Sequence, residues 1–93
     1  MNLDWFKKEL ESKLENYEMT FSFFENGDFG NLDRVEFENL RKVGNIDFWD
    51  SGWIEIHLVD YKEEKELFHV MLEPNQEYEK ERALEILKGF LIE

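Results

Sequence analysis

His57 and His69 are the two histidines of the chain, and they are the side chains best suited to hold a metal or move a proton near neutrality. Cysteine is absent, which excludes thiolate nucleophiles, disulfides and cysteine zinc sites together. A zinc site built on the histidines needs at least a third ligand, and Glu36 or Glu55 would have to supply it. No H-x-x-x-H or C-x-x-C spacing supports such a site, and cross-strand pairs on a flat sheet seldom converge on one point. No metal or other cofactor is therefore expected. Nucleophilic catalysis has little to build on. Serine occurs as Ser12, Ser22 and Ser51, and Ser51 sits in a tight turn without an oxyanion-hole motif. The many carboxylates read as a solvated face rather than as an acid paired with a base. The chain is accordingly read as a non-enzyme. Its strongest chemistry is recognition. Trp49 and Trp53 flank a short turn, with Asp47, Asp50 and Glu55 around them. Tryptophan is enriched where truncation costs most at interfaces. Aromatic cross-strand pairs also stabilise hairpins, so both roles stay open for this pair.

These residues must be positioned by strands. Leu3, Phe6, Leu10, Leu14 and Tyr17 are spaced 3, 4, 4 and 3, which predicts one amphipathic helix, with Asn2 as its N-cap. The period then changes to two. Met19 to Phe23 reads as a strand, and the breakers Asn26-Gly27-Asp28 and Gly30-Asn31 as a turn. Four further stretches alternate: Leu32 to Glu38, Val43 to Trp49, Trp53 to Asp60 and Glu66 to Leu72. Asp50-Ser51-Gly52 suits a three-residue hairpin loop with Gly52 left-handed. Tyr61 to Lys65 is a charged hairpin tip. Pro74 and Asn75 start a last helix, whose apolar face is Ala83, Leu84, Leu87 and Leu91, joined by Ile86 and Phe90. The expected fold is a single α+β domain over residues 1–93. It is an antiparallel meander of four to five strands, with N- and C-terminal helices packed on one face.

The alternation also fixes registers. Trp49 falls opposite Trp53, Asp47 opposite Glu55, Asn45 opposite His57 and Val43 opposite Val59. Beyond the charged tip, Glu55 falls opposite Met71, His57 opposite His69 and Val59 opposite Leu67. Arg34 pairs with Asp47, Glu36 with Asn45, and Phe37 covers Gly44. Ile46, Phe48, Ile54, Ile56, Leu58, Phe68 and Val70 then share the opposite face, and a slip of one residue would invert this. The helices cover only that face. The other is left open, with the tryptophans, carboxylates and histidines on it.

Charge sets the class of partner. There are 11 basic and 23 acidic residues among 93, for a net charge of −12. Nucleic acid and anionic membranes are disfavoured as partners, since both select basic surfaces. At 42% hydrophobic and 16% aromatic, the composition is that of a folded domain rather than a disordered acidic chain. With 5 basic and 13 acidic residues, the strand region 19–73 holds −8 of the −12. The lack of cysteine, of a signal-like leader and of any long apolar run points to the cytoplasm.

The stretch Val43-Gly44-Asn45-Ile46-Asp47-Phe48-Trp49-Asp50-Ser51-Gly52 resembles the TriTu-type immunity proteins of bacterial polymorphic toxin systems. The shared features are an apolar-Gly-x-Ile strand ending in Trp-x-Ser-Gly and a second strand ending in Leu58-Val59-Asp60. A charged tip, an aromatic-apolar strand and a C-terminal helix follow. The resemblance is specific over residues 43 to 60 and loose elsewhere. It implies a non-catalytic protein that protects its producer by binding a cognate toxin. The acidity agrees with a nuclease toxin, whose substrate-binding surface is basic. On this reading Trp49 and Trp53 anchor the complex, Asp47, Asp50 and Glu55 supply charge, and His57 and His69 lie on the same face. The alternative is a homodimer or scaffold subunit, in which the tryptophans, Val43, Val59, Leu67 and Met71 pair with a second copy.

Overall fold

The structure, a computed structural model, describes residues 1–92. Helix α1 spans Leu3–Glu9, and the Asn2 side chain accepts from the Trp5 N–H at 2.9 Å, as its N-cap position predicts. The helix does not continue to Tyr17. Leu10 leaves helical geometry at φ −123°, and a 3₁₀ turn over Glu11–Leu14 follows. The tighter turn keeps Leu10 and Leu14 in the same buried stripe as Phe6 while redirecting the chain toward the sheet.

Five strands then run as an antiparallel meander in the order β1-β2-β3-β4-β5. They are β1 Glu18–Gly27, β2 Gly30–Glu38, β3 Lys42–Trp49, β4 Ile54–Asp60 and β5 Lys65–Leu72, followed by helix α2 Glu77–Leu91. Strand β1 is longer at both ends than its alternation suggests. Helix α2 starts beyond Pro74 and Asn75, which lie instead in a turn closed by the Gln76 N–H to Glu73 O at 3.1 Å. Pro74 O accepts from Lys80 Nζ at 2.9 Å, and Glu73 N–H donates to the Gln76 side chain at 2.7 Å. Gly52 adopts φ +102°, the left-handed position expected for it.

One core holds the two layers together. Phe6, Leu10 and Leu14 meet Val35, Phe37, Ile46, Phe48, Ile54, Ile56 and Leu58 from the sheet and Ala83, Leu84, Leu87 and Leu91 from α2. Each fully buried Leu or Phe among them stabilises by about 1.5–3 kcal/mol. Ile86 stays largely exposed, although it was expected near this face. Lys42 and Lys80 are buried at the periphery. Lys42 Nζ donates to Phe90 O, and Lys80 Nζ donates to Gly52 O at 3.0 Å as well as to Pro74 O. The two ammonium groups thus fasten α2 to the sheet and to the β3–β4 turn. Among the described residues, no helix is long and apolar enough to cross a membrane.

The registers agree with the alternation over most of the sheet. Arg34 pairs with Asp47, Glu36 with Asn45, Asn45 with His57, Asp47 with Glu55 and His57 with His69. Phe37 lies opposite Gly44, where an added Cβ would meet the His57 carbonyl at 2.6 Å and Phe37 at 3.0 Å. One pairing differs. Val59 faces Glu66, not Leu67, because β5 carries a bulge beside the Leu58–Phe68 pair. Leu67 is the extra residue of this bulge and packs toward the core, while Glu66 moves onto the open face.

Candidate functional site

Neither helix covers the face bearing Arg34, Asp47, Glu55 and His57, since their buried apolar residues all join the opposite core. Three clusters cross this open face. The first is aromatic. Trp49 N–H donates to Trp53 O at 3.0 Å, which closes the hairpin as expected. The phenyl ring of Phe29, from the β1–β2 tip, contacts both indoles. Its centroid lies 5.4 Å from Trp49, nearly edge-on, and 4.6 Å from Trp53 at 30°. Leu32 is buried on this side, outside the main core, with Phe24 and Trp49 as its cross-strand neighbours. Asp50 ties the two tips together. Its Oδ1 accepts the Asn31 N–H at 3.1 Å, and its own N–H donates to Asn31 O at 2.9 Å. The Ser51 hydroxyl donates to Phe29 O. Both tryptophans are half-buried by this arrangement, with part of each indole left at the surface.

The second cluster is ionic. Asp47 lies on the open face, where alternation places it, yet only 1% of it is exposed. Arg34 covers it with two parallel bonds, Nε to Oδ1 at 2.8 Å and Nη2 to Oδ2 at 3.0 Å. Asn45 Nδ2 adds a third at 3.2 Å. The guanidinium also lies 5.3 Å from the Phe24 ring centroid, within cation–π range. Its pKa is raised by the hydrogen bond to Asp47, against the lowering effect of burial. Asp47 therefore does not present its charge at the surface. It orients Arg34, whose side chain is partly exposed.

The third cluster contains the histidines. The His57 and His69 rings lie 4.6 Å apart at 37°. Glu66 Oε1 sits 3.1 Å from His57 Nε2 and 3.2 Å from His69 Nδ1, and Glu55 Oε2 sits 2.9 Å from His69 Nε2. The bulge makes this possible, because it brings Glu66 beside both rings. Glu36, the other carboxylate weighed for this role, is cross-strand to Asn45.

The candidate residues thus share one face without forming one site. Trp49, Trp53 and Asp50 group at one end, Asp47 and Glu55 at the centre, and His57 and His69 beyond them. Among the described residues of the face, Glu18, Glu36, Glu38, Asp47, Glu55 and Glu66 stand against one cation, Arg34. A groove of about 590 Å³ lies at the β2–β3 turn, where Leu40, Arg41 and Tyr61 meet Glu18 and Glu38 from the edge of the face, and Leu40 is 84% exposed there. Two contributors escaped the sequence reading. Phe29 left one signal, a large aromatic in an otherwise small, polar turn. Glu66 left none, since only the bulge turns it. No family model matches the chain, and no curated protein or solved structure matches it.

Proposed function

We propose that this chain is a non-catalytic, cytoplasmic immunity protein that binds and neutralises a cognate toxin through the open sheet face. One observation carries the reading: a sheet face left uncovered by both helices ends in a preassembled aromatic cluster and is rimmed by carboxylates. Such a face has the makeup of a hot spot within a charged rim. The aromatic rings are held by Phe29 and the Asp50 tip lock, so little ordering entropy remains to oppose binding. A basic toxin surface, such as the substrate groove of a nuclease, complements the acid and would be steered toward it. The resemblance over residues 43 to 60 supports the same reading.

The test is co-expression with a toxin domain encoded by a neighbouring gene. Such a domain is expected to kill when expressed alone, and co-expression with this protein is expected to restore growth. Trp53→Ala is expected to weaken the complex at least about tenfold. Glu36→Lys, at an exposed position away from the aromatic cluster, is expected to slow association with little effect on folding. Full protection by both variants at wild-type dose would refute the face as the binding site.

Self-association is favoured by a different observation. Strand β1 is a ten-residue edge with Phe21, Phe23 and Phe24 substantially exposed, an arrangement that invites pairing with a second copy. Light scattering across a concentration series separates the readings. A mass that stays monomeric removes this second one.

A further inference from the structure

We infer that His57, His69 and Glu66 form a zinc site on the open face, with Glu55 positioning one of its ligands. The nitrogen and oxygen atoms of the three ligands lie within 4.8 Å of one another. The two Glu66 distances, 3.1 Å to His57 Nε2 and 3.2 Å to His69 Nδ1, are those of ligand atoms sharing a metal. Bonds of about 2.0–2.1 Å on a tetrahedron place neighbouring donors about 3.3 Å apart. The two Glu66 distances already match this spacing, and the two imidazole nitrogens, within 4.8 Å of one another, would draw together on the ion.

Glu55 supplies a second geometric reason. Both ring nitrogens of His69 face carboxylate oxygens, Nε2 toward Glu55 and Nδ1 toward Glu66. A metal on Nδ1 would leave the Nε2–H to donate to Glu55. The carboxylate on the remote nitrogen is the arrangement that fixes the tautomer and orientation of metal-bound histidines. Zinc suits the mixed imidazole and carboxylate donors better than magnesium or calcium, which prefer all-oxygen shells. Three protein ligands leave a fourth position open to water on the solvent side of the sheet.

The site is partly exposed, with the His57, His69 and Glu66 side chains at 40, 47 and 54%. Zinc therefore reaches it without unfolding, and substitutions there leave the core intact. The inference is independent of the toxin reading, because the isolated protein binds the ion whether or not a partner exists.

The experiment is calorimetric titration of zinc chloride into chelator-treated protein, with thermal unfolding in parallel. One zinc per chain is expected, together with a zinc-dependent rise in Tm. His69→Asn and Glu66→Gln are each expected to abolish both signals. Glu55→Gln should weaken affinity about 10- to 100-fold while keeping the 1:1 ratio. Glu36→Gln, a carboxylate on the same face outside the cluster, should change neither. Absence of saturable 1:1 binding would overturn the site, and so would binding that survives Glu66→Gln or His69→Asn.

Discussion

At the scale of single residues, the Arg34–Asp47 pair decides what the open face offers. Its two members are not equivalent. Asp47 is 1% exposed, whereas the Arg34 side chain is 37% exposed. Removing the guanidinium costs the carboxylate its two charge-assisted bonds and leaves it to Asn45 and the water that enters, a loss of about 2–3 kcal/mol. Removing the carboxylate leaves an arginine that can turn to water and keep its contact with Phe24, at a cost of about 1–2 kcal/mol. Arg34→Ala is therefore expected to lower the urea midpoint clearly more than Asp47→Ala. Equal losses, or a larger one for Asp47→Ala, would show that Asp47 is better hydrated than its burial indicates. The same pair shapes recognition. The guanidinium stands in front of a hidden acid, so at the centre of the face Asp47 is neutralised and Glu55 remains as the carboxylate beside it.

At the scale of elements, the turns are clasped in pairs. Asp50 joins the β1–β2 and β3–β4 tips at one end of the sheet, and Asp60 joins the β2–β3 and β4–β5 turns at the other. Arg41 Nε donates to Asp60 Oδ2 at 2.7 Å, and the N–H groups of Lys62 and Glu63 donate to Oδ1 at 3.1 Å each. The Arg41 bond is the main reason that the Asp60 pKa lies below its ordinary 3.8, with burial opposing it and the two N–H groups assisting. A carboxylate depressed in the folded state stabilises fully above its unfolded pKa. It loses that contribution as the pH falls through the folded value. Asp60→Asn should thus be less stable than wild type at pH 7, and the gap should be narrower at about pH 3, below the ordinary carboxylate value. Paired melting curves at the two pH values test this, and a gap that stays constant would place the loss in something other than charge. Much of this level was legible in the sequence. Period-two alternation fixed which residues share a face, and Arg34 beside Asp47 and His57 beside His69 followed from it. The β5 bulge was hidden, since Leu67 is an acceptable residue on either face. The break at Leu10 was hidden too, because an α-helix and a 3₁₀ turn both keep Phe6, Leu10 and Leu14 on one stripe. Lys80 reads as a surface cation, and the Gly52 and Pro74 carbonyls, with Glu77 Oε1 3.6 Å away, explain its burial.

At the scale of the whole molecule, the net charge of −12 is confined to a radius of gyration of 12.8 Å. The Debye length is about 30 Å at 0.01 M salt and about 8 Å at 0.15 M. At the lower concentration every carboxylate senses the others across the entire fold. At the higher one it senses only its neighbours. The best ion pair, Arg34–Asp47, is largely shielded from solvent ions by the burial of Asp47, so added salt acts mainly on the unpaired acid. Stability should therefore rise between 0.01 and 0.15 M sodium chloride, seen as a higher urea midpoint at unchanged slope. Association with a basic partner should respond in the opposite direction, because the field that destabilises the free chain is the one that steers the partner to it. The two measurements on one protein separate the origins of the acidity. If stability rises and association slows together, the charge is a recognition device held at some cost to the fold. If stability rises while the association rate is indifferent to salt, the acid serves solubility, and the aromatic end of the face must account for binding alone.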